Sequence, residues 1–237
     1  ASRAQGIRSW FFHCRRQKWK HHGLGIDSAT RTGYTGYMGK TGKSRPRLVQ
    51  GGEWVARFIF IAGRLCLDFA HTGGSDPVRA PWERLHRPAD LADWFAESPL
   101  QLSGVEVTAA DLASALALRE AIWRTAQAIR QGEAPRADDV AIINDAAAAP
   151  DLRPQLVPDS LERTWRLPVE AKAALATIAR DAVDLFSSEM RTRIRKCDNP
   201  RCQLIFVDTS RPGKRRWCAM ERCGNMAKVA RHRGHRT

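Results

Sequence analysis

Four cysteines near the end of the sequence constrain the fold of this 237-residue chain more than any other feature. They form two equally spaced pairs, Cys197 with Cys202 and Cys218 with Cys223, in the pattern C-x4-C-x15-C-x4-C. Four thiolates fill a tetrahedral zinc site with bonds of ~2.3 Å, and a closed site of this kind is structural. Two disulfides or inert buried thiols are the alternatives. We predict one structural zinc ion per chain, held by these four cysteines.

The residues around the cysteines favour a small folded module. Asn199 and Pro200 supply a turn inside the first pair, and Gly224 and Asn225 follow the last cysteine as a tight turn requires. Residues 204–208 predict a strand, residues 209–214 a turn, and the residues after Gly224 a short helix. The prediction for residues 196–237 is therefore a zinc finger made of a β-hairpin and a short helix, with a basic tail.

Positive charge is concentrated at both ends of the chain. Residues 1–50 carry 11 Lys and Arg against one acidic residue, residues 195–237 carry 12 against three, and the segment between them carries 16 against 21. A basic segment of this density predicts a polyanionic partner, because each phosphate contact releases condensed counterions. The candidate nucleic-acid contacts are Arg211, Lys214, Arg215, Arg216, Lys228, Arg231 and Arg233. Trp217, next to them, is predicted to stack on a base or to cover the metal core.

The rest of the chain divides into two segments. Residues 1–52 show no helical or strand periodicity and are predicted to be a disordered basic extension. Residues 53–195 predict a mostly helical α+β domain. Its predicted elements are a short β-hairpin around Ala62 and Gly63, helices over residues 88–97, 108–132 and 135–149, a strand over 162–167, and a long helix from Pro168 to about Ile194.

Two classes of function are disfavoured by the sequence. No apolar run approaches the ~20 residues that cross a bilayer, and the start of the chain has no secretory pattern, so we expect a cytoplasmic protein without a membrane partner. Asp68 and His71 lie close to Cys66, as in a catalytic or metal site, but structural roles explain them better. Arg119 and Glu120 lie together on a predicted helix, where they either line a ligand pocket or belong to an exposed helix face. No nucleophile, base and orienting group stand in a recognisable order, so we predict that the chain is not an enzyme.

The cysteine segment resembles the CGNR zinc-finger family. The resemblance rests on the paired C-x4-C elements, the F-x-D-x-S-R stretch, the RRWC segment and the closing CGN. The residues in register with that family are Phe206, Asp208, Ser210, Arg211, Arg215, Arg216, Trp217 and Cys218. Met226 departs from the pattern, because it stands where the family's last arginine belongs. This departure implies weaker or altered binding if that arginine contacts nucleic acid, and little change if it only braces the fold.

Upstream, the segments RLCLDFAHT and ALALREAIW resemble the ABATE domain, which precedes this finger and is described as a stress-induced transcription regulator domain. The two resemblances together cover residues 58–233. They imply a zinc-dependent, DNA-binding transcription regulator whose N-terminal domain senses a small-molecule ligand or binds a partner. Two other functions remain open: a zinc-stabilised protein–protein interaction module, and a small-molecule sensor without direct DNA contact.

Overall fold

The computed structural model describes residues 57–234, with side chains up to residue 229, and the backbone of two short strands before them. These strands, β1 (Arg47–Leu48) and β2 (Trp54–Val55), pair antiparallel. Apart from β1, the basic extension predicted for residues 1–52 lies outside the described residues. Its disorder therefore stays a prediction.

Helices form most of the described chain before the cysteines, which confirms the predicted α+β class. They are α1 (Leu65–Ala70), α2 (Pro88–Glu97), α3 (Ala109–Gln131), α4 (Ala137–Ala148) and α5 (Ala171–Ser187). The predictions for α2 and α3 are confirmed, because local signals define both helices. Pro88 stands in the first turn of α2, Thr108 and Asp111 form a capping box before α3, and Gly132 ends α3 at φ 76°.

The hairpin predicted around Ala62 and Gly63 is wrong: a loop precedes Gly63, and the residues after it form α1. No side chain next to α1 in sequence caps its first turn. Instead, the carboxylate of Asp181 in α5 accepts a hydrogen bond of 2.9 Å from the backbone N–H of Cys66. All six residues of α1 are buried, so the helix has no polar face to mark its period. The segment therefore resembles a pair of buried strands when it is judged by sequence alone.

The second difference concerns the long helix predicted from Pro168 to about Ile194. The helix begins at Ala171 and ends at Ser187, where the Ser188 hydroxyl donates to the Leu185 carbonyl at 3.0 Å. A 3-10 helix (Glu189–Arg193) follows. Ile194 then starts a strand, because its backbone pairs with Val207 of the finger. Upstream of α5, the strand predicted over residues 162–167 is present as β4 (Arg163–Trp165), paired with β3 (Pro154–Leu156).

The finger has the predicted hairpin and helix. Strands β5 (Ile194–Lys196) and β6 (Ile205–Val207) pair antiparallel. A π-helical turn (Met220–Gly224) leads into the last helix, α6 (Asn225–Gly234). Cys197 and Cys202 lie in the loop between β5 and β6. Cys218 lies just before the π-helical turn, and Cys223 lies in it.

One hydrophobic core runs through the helical region and the finger. Helix α1 packs against α3 and α5, and Phe69 meets Trp94 edge to face with ring centroids 4.9 Å apart. Phe206 of β6 is fully buried in the same cluster of side chains. The backbone N–H of Val207 donates to the Ala62 carbonyl at 2.9 Å, so β6 is attached to the loop before α1. Among the described helices, none is both long and apolar enough to cross a membrane.

Candidate metal centre and basic surface of the finger

The structure brings the four predicted zinc ligands together. The Sγ atoms of Cys197, Cys202, Cys218 and Cys223 all lie within 4.8 Å of one another. Sulfur atoms bonded to one zinc ion at ~2.3 Å stand about 3.8 Å apart at the corners of a tetrahedron. The observed Sγ–Sγ distances of 3.9 Å for Cys202 to Cys218 and 3.6 Å for Cys218 to Cys223 match this geometry. None of the described cysteines is in a disulfide, which argues against the disulfide alternative.

Polar groups next to the sulfur atoms fit a site for thiolates. The side-chain amide of Asn199 donates to Cys223 Sγ at 3.3 Å, and the backbone N–H of Cys218 donates to Cys197 Sγ at 3.4 Å. Each bond therefore joins one cysteine pair to the other. Asn199 also accepts from the backbone N–H of Arg201 at 3.0 Å, which makes the turn that its sequence position predicts.

The thiols strongly affect one another's protonation. The hydrogen bond between Cys202 and Cys218 lowers the pKa of Cys202 to about 5, whereas burial raises the pKa of Cys223 to about 11. Four thiols packed this closely are stable as thiolates only when a cation offsets their repulsion. The donor set therefore fits one Zn²⁺, and because all four positions are filled by protein sulfur, the ion is structural.

A buried carboxylate organises the loop between the cysteine pairs. Asp208 is fully buried and accepts hydrogen bonds from the Ser210 hydroxyl at 2.6 Å, the Ser210 amide at 2.9 Å and the Arg215 amide at 2.8 Å. The Arg215 guanidinium lies 4.5 Å from the centre of the Phe206 ring. It also donates to the Trp217 carbonyl at 2.8 Å and to the Cys218 carbonyl. The F-x-D-x-S-R and RRWC segments thus brace the second cysteine pair.

The predicted nucleic-acid contacts fall into three groups. The first consists of side chains that are exposed on the finger: Arg211, Lys214, Arg216 and Lys228. Arg215 forms the second group, because its guanidinium is directed inward at Phe206 and two backbone carbonyls. Arg231 and Arg233 form the third: their backbone belongs to α6, but their side chains lie beyond the described part.

An open groove of about 610 Å³ collects some of these residues on one surface. Lys214, Arg216 and Trp217 line it together with Met220 and Glu221. The Arg216 guanidinium lies 5.1 Å from the Trp217 ring centre and pairs with Asp198 at 2.6 Å. The groove therefore combines exposed cations with a half-buried aromatic ring.

The residues near α1 and α3 that suggested a second site have structural contacts. Asp68 Oδ1 accepts from the backbone N–H of Ala62 at 2.8 Å, as a loop-bonding role predicts. The Nε2 atom of His71 lies 2.7 Å from the Ile205 carbonyl oxygen and 3.0 Å from the Ile205 nitrogen, so His71 joins α1 to β6. Burial lowers the pKa of His71 to about 4, which leaves its ring neutral at pH 7.

The exposed helix face suggested for Arg119 and Glu120 is wrong. The Arg119 side chain is only 3% exposed and its guanidinium donates to Glu83 at 2.7 and 2.8 Å. Glu120 accepts a salt bridge of 2.5 Å from Arg79. These ion pairs fix the loop between α1 and α2 against α3. The pattern of residues along α3 alone does not predict them, because the partners lie in a different segment of the chain.

Arg201 and Arg222 are two further basic residues, which are not among the contacts predicted from the sequence. Each directly precedes the second cysteine of a pair, in PRC and in ERC. That repeated position is the signal that could have identified them. Both side chains are exposed, and both border a cavity between the finger and the helical region.

Comparisons with known families agree with this arrangement. Residues 63–189 match the ABATE family model, whose description is "Putative stress-induced transcription regulator", and residues 193–236 match the CGNR zinc finger model. The order of the two matches is the predicted one, and neither family is described as enzymatic. No curated protein matches the chain.

Proposed function

Because the chain belongs to the ABATE family and carries a CGNR zinc finger after the matched region, we propose that it regulates transcription by binding duplex DNA through the finger. Zinc has a structural role in this proposal: it holds the two loops that present the basic side chains. The helical domain then serves to sense a signal or bind a partner. No step of chemical catalysis is required.

The observation that carries the proposal is the groove lined by Lys214, Arg216 and Trp217. Exposed Lys and Arg side chains supply the phosphate contacts that dominate affinity for nucleic acid. A tryptophan ring beside them offers an apolar surface to a sugar or a base. Glu221 at the same groove repels phosphate, which favours a path for the DNA backbone on the side of Lys214 and Arg216.

Arg215 contributes to this surface indirectly. Its guanidinium is held by the Phe206 ring and by two backbone carbonyls, so it is not free to follow a phosphate. Its contacts fix the backbone on which Arg216 and Trp217 stand. Arg216 is therefore the better candidate for a direct contact, although the two residues are adjacent.

Salt-dependent titrations of the zinc-loaded chain with duplex DNA, single-stranded DNA and RNA of one length test the proposal. We expect duplex DNA to bind most tightly, with the logarithm of its affinity falling linearly as the logarithm of the salt concentration rises. The Lys214→Ala/Arg216→Ala variant should bind more weakly on all sequences and reduce the slope by about 1 to 2.

The matched control is Arg166→Ala/Lys172→Ala, which removes one arginine and one lysine that are exposed outside the finger. This variant should keep both the wild-type affinity and the slope. If the two double variants weaken binding equally, net charge rather than the groove explains the affinity. If no polymer shows a salt-dependent affinity, the DNA-binding proposal fails.

One observation favours a different function, a zinc-stabilised protein-interaction module. Met220, Met226 and Val229 are 45%, 54% and 48% exposed within ten residues of one another. Exposed apolar side chains near a zinc site are suited to a protein partner. A salt-independent affinity for all three polymers would favour this function over DNA binding.

A further inference from the structure

A cavity of about 240 Å³ lies where the helical region meets the cysteine loops. On the helical side it is lined by Trp82 and by Trp123 of α3, and on the finger side by Arg201, Gln203, Arg222 and Met226. Its volume is slightly below the ~300–1,000 Å³ of common ligand pockets, which favours a small ligand. Its lining shares no residue with the groove proposed for DNA, and the zinc site contributes only Cys202 and Cys223 to its wall.

The walls of the cavity suit a flat apolar molecule. Trp82 is 46% exposed, although a tryptophan side chain normally buries most of its surface against other residues. Trp123 is 8% exposed and is held in place, because the Arg79 guanidinium lies 4.4 Å from its ring centre and the His71 ring meets it edge to face at 5.5 Å. Met226 adds a flexible thioether, which adapts to the shape of an apolar ligand.

Two arginines at the cavity offer hydrogen-bond donors that have no partner among the described residues. The guanidinium groups of Arg201 and Arg222 make no hydrogen bond or ion pair with any described residue. Arg79 differs, because Asp76 and Glu120 each accept a salt bridge from it at 2.5 Å. Of the described residues that line the cavity, none is an aspartate or glutamate. A ligand amine would therefore have no carboxylate to pair with at the cavity wall, whereas ligand oxygens could accept hydrogen bonds from the guanidinium groups of Arg201 and Arg222.

The zinc site affects the charge of this cavity. Four thiolates and one Zn²⁺ leave two negative charges, and Cys202 and Cys223 form part of the cavity wall. Arg201 and Arg222 balance these two charges. Net charge alone therefore does not select an anion; selection depends on the donor geometry of the guanidinium groups and on the aromatic walls.

We propose that this cavity binds a small planar aromatic compound with acceptor oxygens at one edge, most simply an aromatic carboxylate. The ring would lie against Trp82 and Trp123, and the oxygens would accept from Arg201 and Arg222. Such a ligand would contact α3 and both cysteine loops at once. Its binding would then restrain both cysteine loops, the second of which also carries the groove residues Lys214, Arg216 and Trp217, so that it changes affinity for DNA; this last step rests on the proposed function.

Calorimetric titration of the zinc-loaded chain with three probes tests the binding site without DNA. The probes are 1-naphthoate, 1-naphthylmethylamine, which has the same ring with a cation, and cyclohexanecarboxylate, which has the same head group on a non-planar ring. We expect 1-naphthoate to bind one per chain, about tenfold more tightly than either of the others. Absence of saturable 1-naphthoate binding, or equal binding of the amine, would overturn the proposal.

Two variants locate the site. Arg201→Ala/Arg222→Ala should weaken 1-naphthoate binding by about tenfold or more, because each charge-assisted bond is lost. Trp82→Ala should also weaken 1-naphthoate binding, because the ring of the probe loses one of its two aromatic contacts. The control variant Arg166→Ala/Lys172→Ala should leave 1-naphthoate binding unchanged. Zinc content and melting temperature, measured on every variant, identify a folding defect. Unchanged binding in both cavity variants would place the probe elsewhere and overturn the assignment.

DNA titration with and without saturating 1-naphthoate tests the coupling. A change in DNA affinity of about fivefold or more is expected, with the same change in probe affinity when DNA is saturating, because linkage is reciprocal. If the probe binds and DNA does not, the site stands while the proposed function fails. If both bind independently, the coupling is refuted and the site stands.

Discussion

Arg215 and Arg216 are neighbours in sequence, but their side chains have different environments. The Arg215 guanidinium packs on Phe206 and donates to the carbonyls of Trp217 and Cys218. Arg216 is exposed and pairs with Asp198 at the surface. The sequence predicts both as nucleic-acid contacts, because a pattern of charges does not show which way each side chain points. Only the position of the Phe206 ring in the folded finger distinguishes them.

Replacing each arginine separately should distinguish structural from surface roles. Arg215→Ala should lower the free energy of unfolding by about 2 to 3 kcal/mol, because a cation–π contact and two carbonyl bonds are lost. Arg216→Ala should cost less than about 1 kcal/mol, since its ion pair is exposed. Urea unfolding of the zinc-loaded proteins measures both. Equal losses would contradict the inward role of Arg215.

Asp208 gives the loop between the cysteine pairs a dependence on pH. Burial raises the pKa of this carboxyl, but hydrogen bonds from the Ser210 hydroxyl and from the Arg215 and Ser210 amides outweigh burial, so the pKa is lowered from its ordinary value. A carboxyl with a lowered pKa stabilises the folded state above its unfolded pKa of ~3.9, and this contribution is lost as the pH falls through the folded value.

Asp208→Asn should therefore be less stable than the wild type at pH 7, and the difference should shrink as the pH is lowered from about 5 towards 3. The comparison with wild type at each pH removes the effect of thiol protonation, which both proteins share. Denaturant unfolding across this pH range provides the measurement. A difference that stays constant down to pH 3 would show that ionisation of Asp208 does not stabilise the fold.

At the scale of elements, a helix can be predicted from the sequence when the residue that caps its first turn is close to it in the chain. Helix α3 was predictable because Thr108 and Asp111, next to its first turn, cap it. Helix α1 was not, because Asp181, more than a hundred residues away in sequence, binds its first turn. The zinc ligands were also predictable from local sequence, because the spacing of the two cysteine pairs identifies them. The cavity was not, because residues from α3 and from both cysteine loops meet there only after folding.

The two kinds of cap should differ in their contribution to stability. Thr108→Ala should cost about 1 kcal/mol, the usual value for a lost N-cap. Asp181→Ala should cost more, about 3 kcal/mol, because it also removes one of the two 2.9 Å ion pairs that Arg64 makes with α5, the one to the buried Asp181. Chemical denaturation compares the two variants. A cost for Asp181→Ala no larger than that for Thr108→Ala would show that the remote cap adds little.

At the scale of the whole molecule, the described helices and the finger share one core. Phe206, Cys197, Cys218 and Cys223 belong to the same buried cluster as the side chains of α1 and α3. His71 adds a polar link to Ile205, and Val207 is bonded to Ala62. The binding energy of a structural zinc ion becomes folding energy for the residues that it orders. In this molecule we expect that energy to extend beyond the finger, because β6 is hydrogen-bonded to the loop before α1 and to His71 at the end of α1.

Removing zinc should therefore destabilise the helical region as well as the finger. We expect the zinc-loaded chain to unfold in one transition, and a chelator to lower the melting temperature by about 10 °C, which corresponds to a loss of about 3 to 4 kcal/mol in a domain of this size. The indole N–H resonance of Trp94 in α2 reports on the helical core, and far-ultraviolet circular dichroism reports on the helices. The Cys218→Ser/Cys223→Ser variant should melt at the lower temperature with or without chelator, since it lacks two ligands. If the Trp94 signal melts at the zinc-loaded temperature after chelation, while only the finger resonances are lost, the finger is an independent unit, and zinc does not support the shared core.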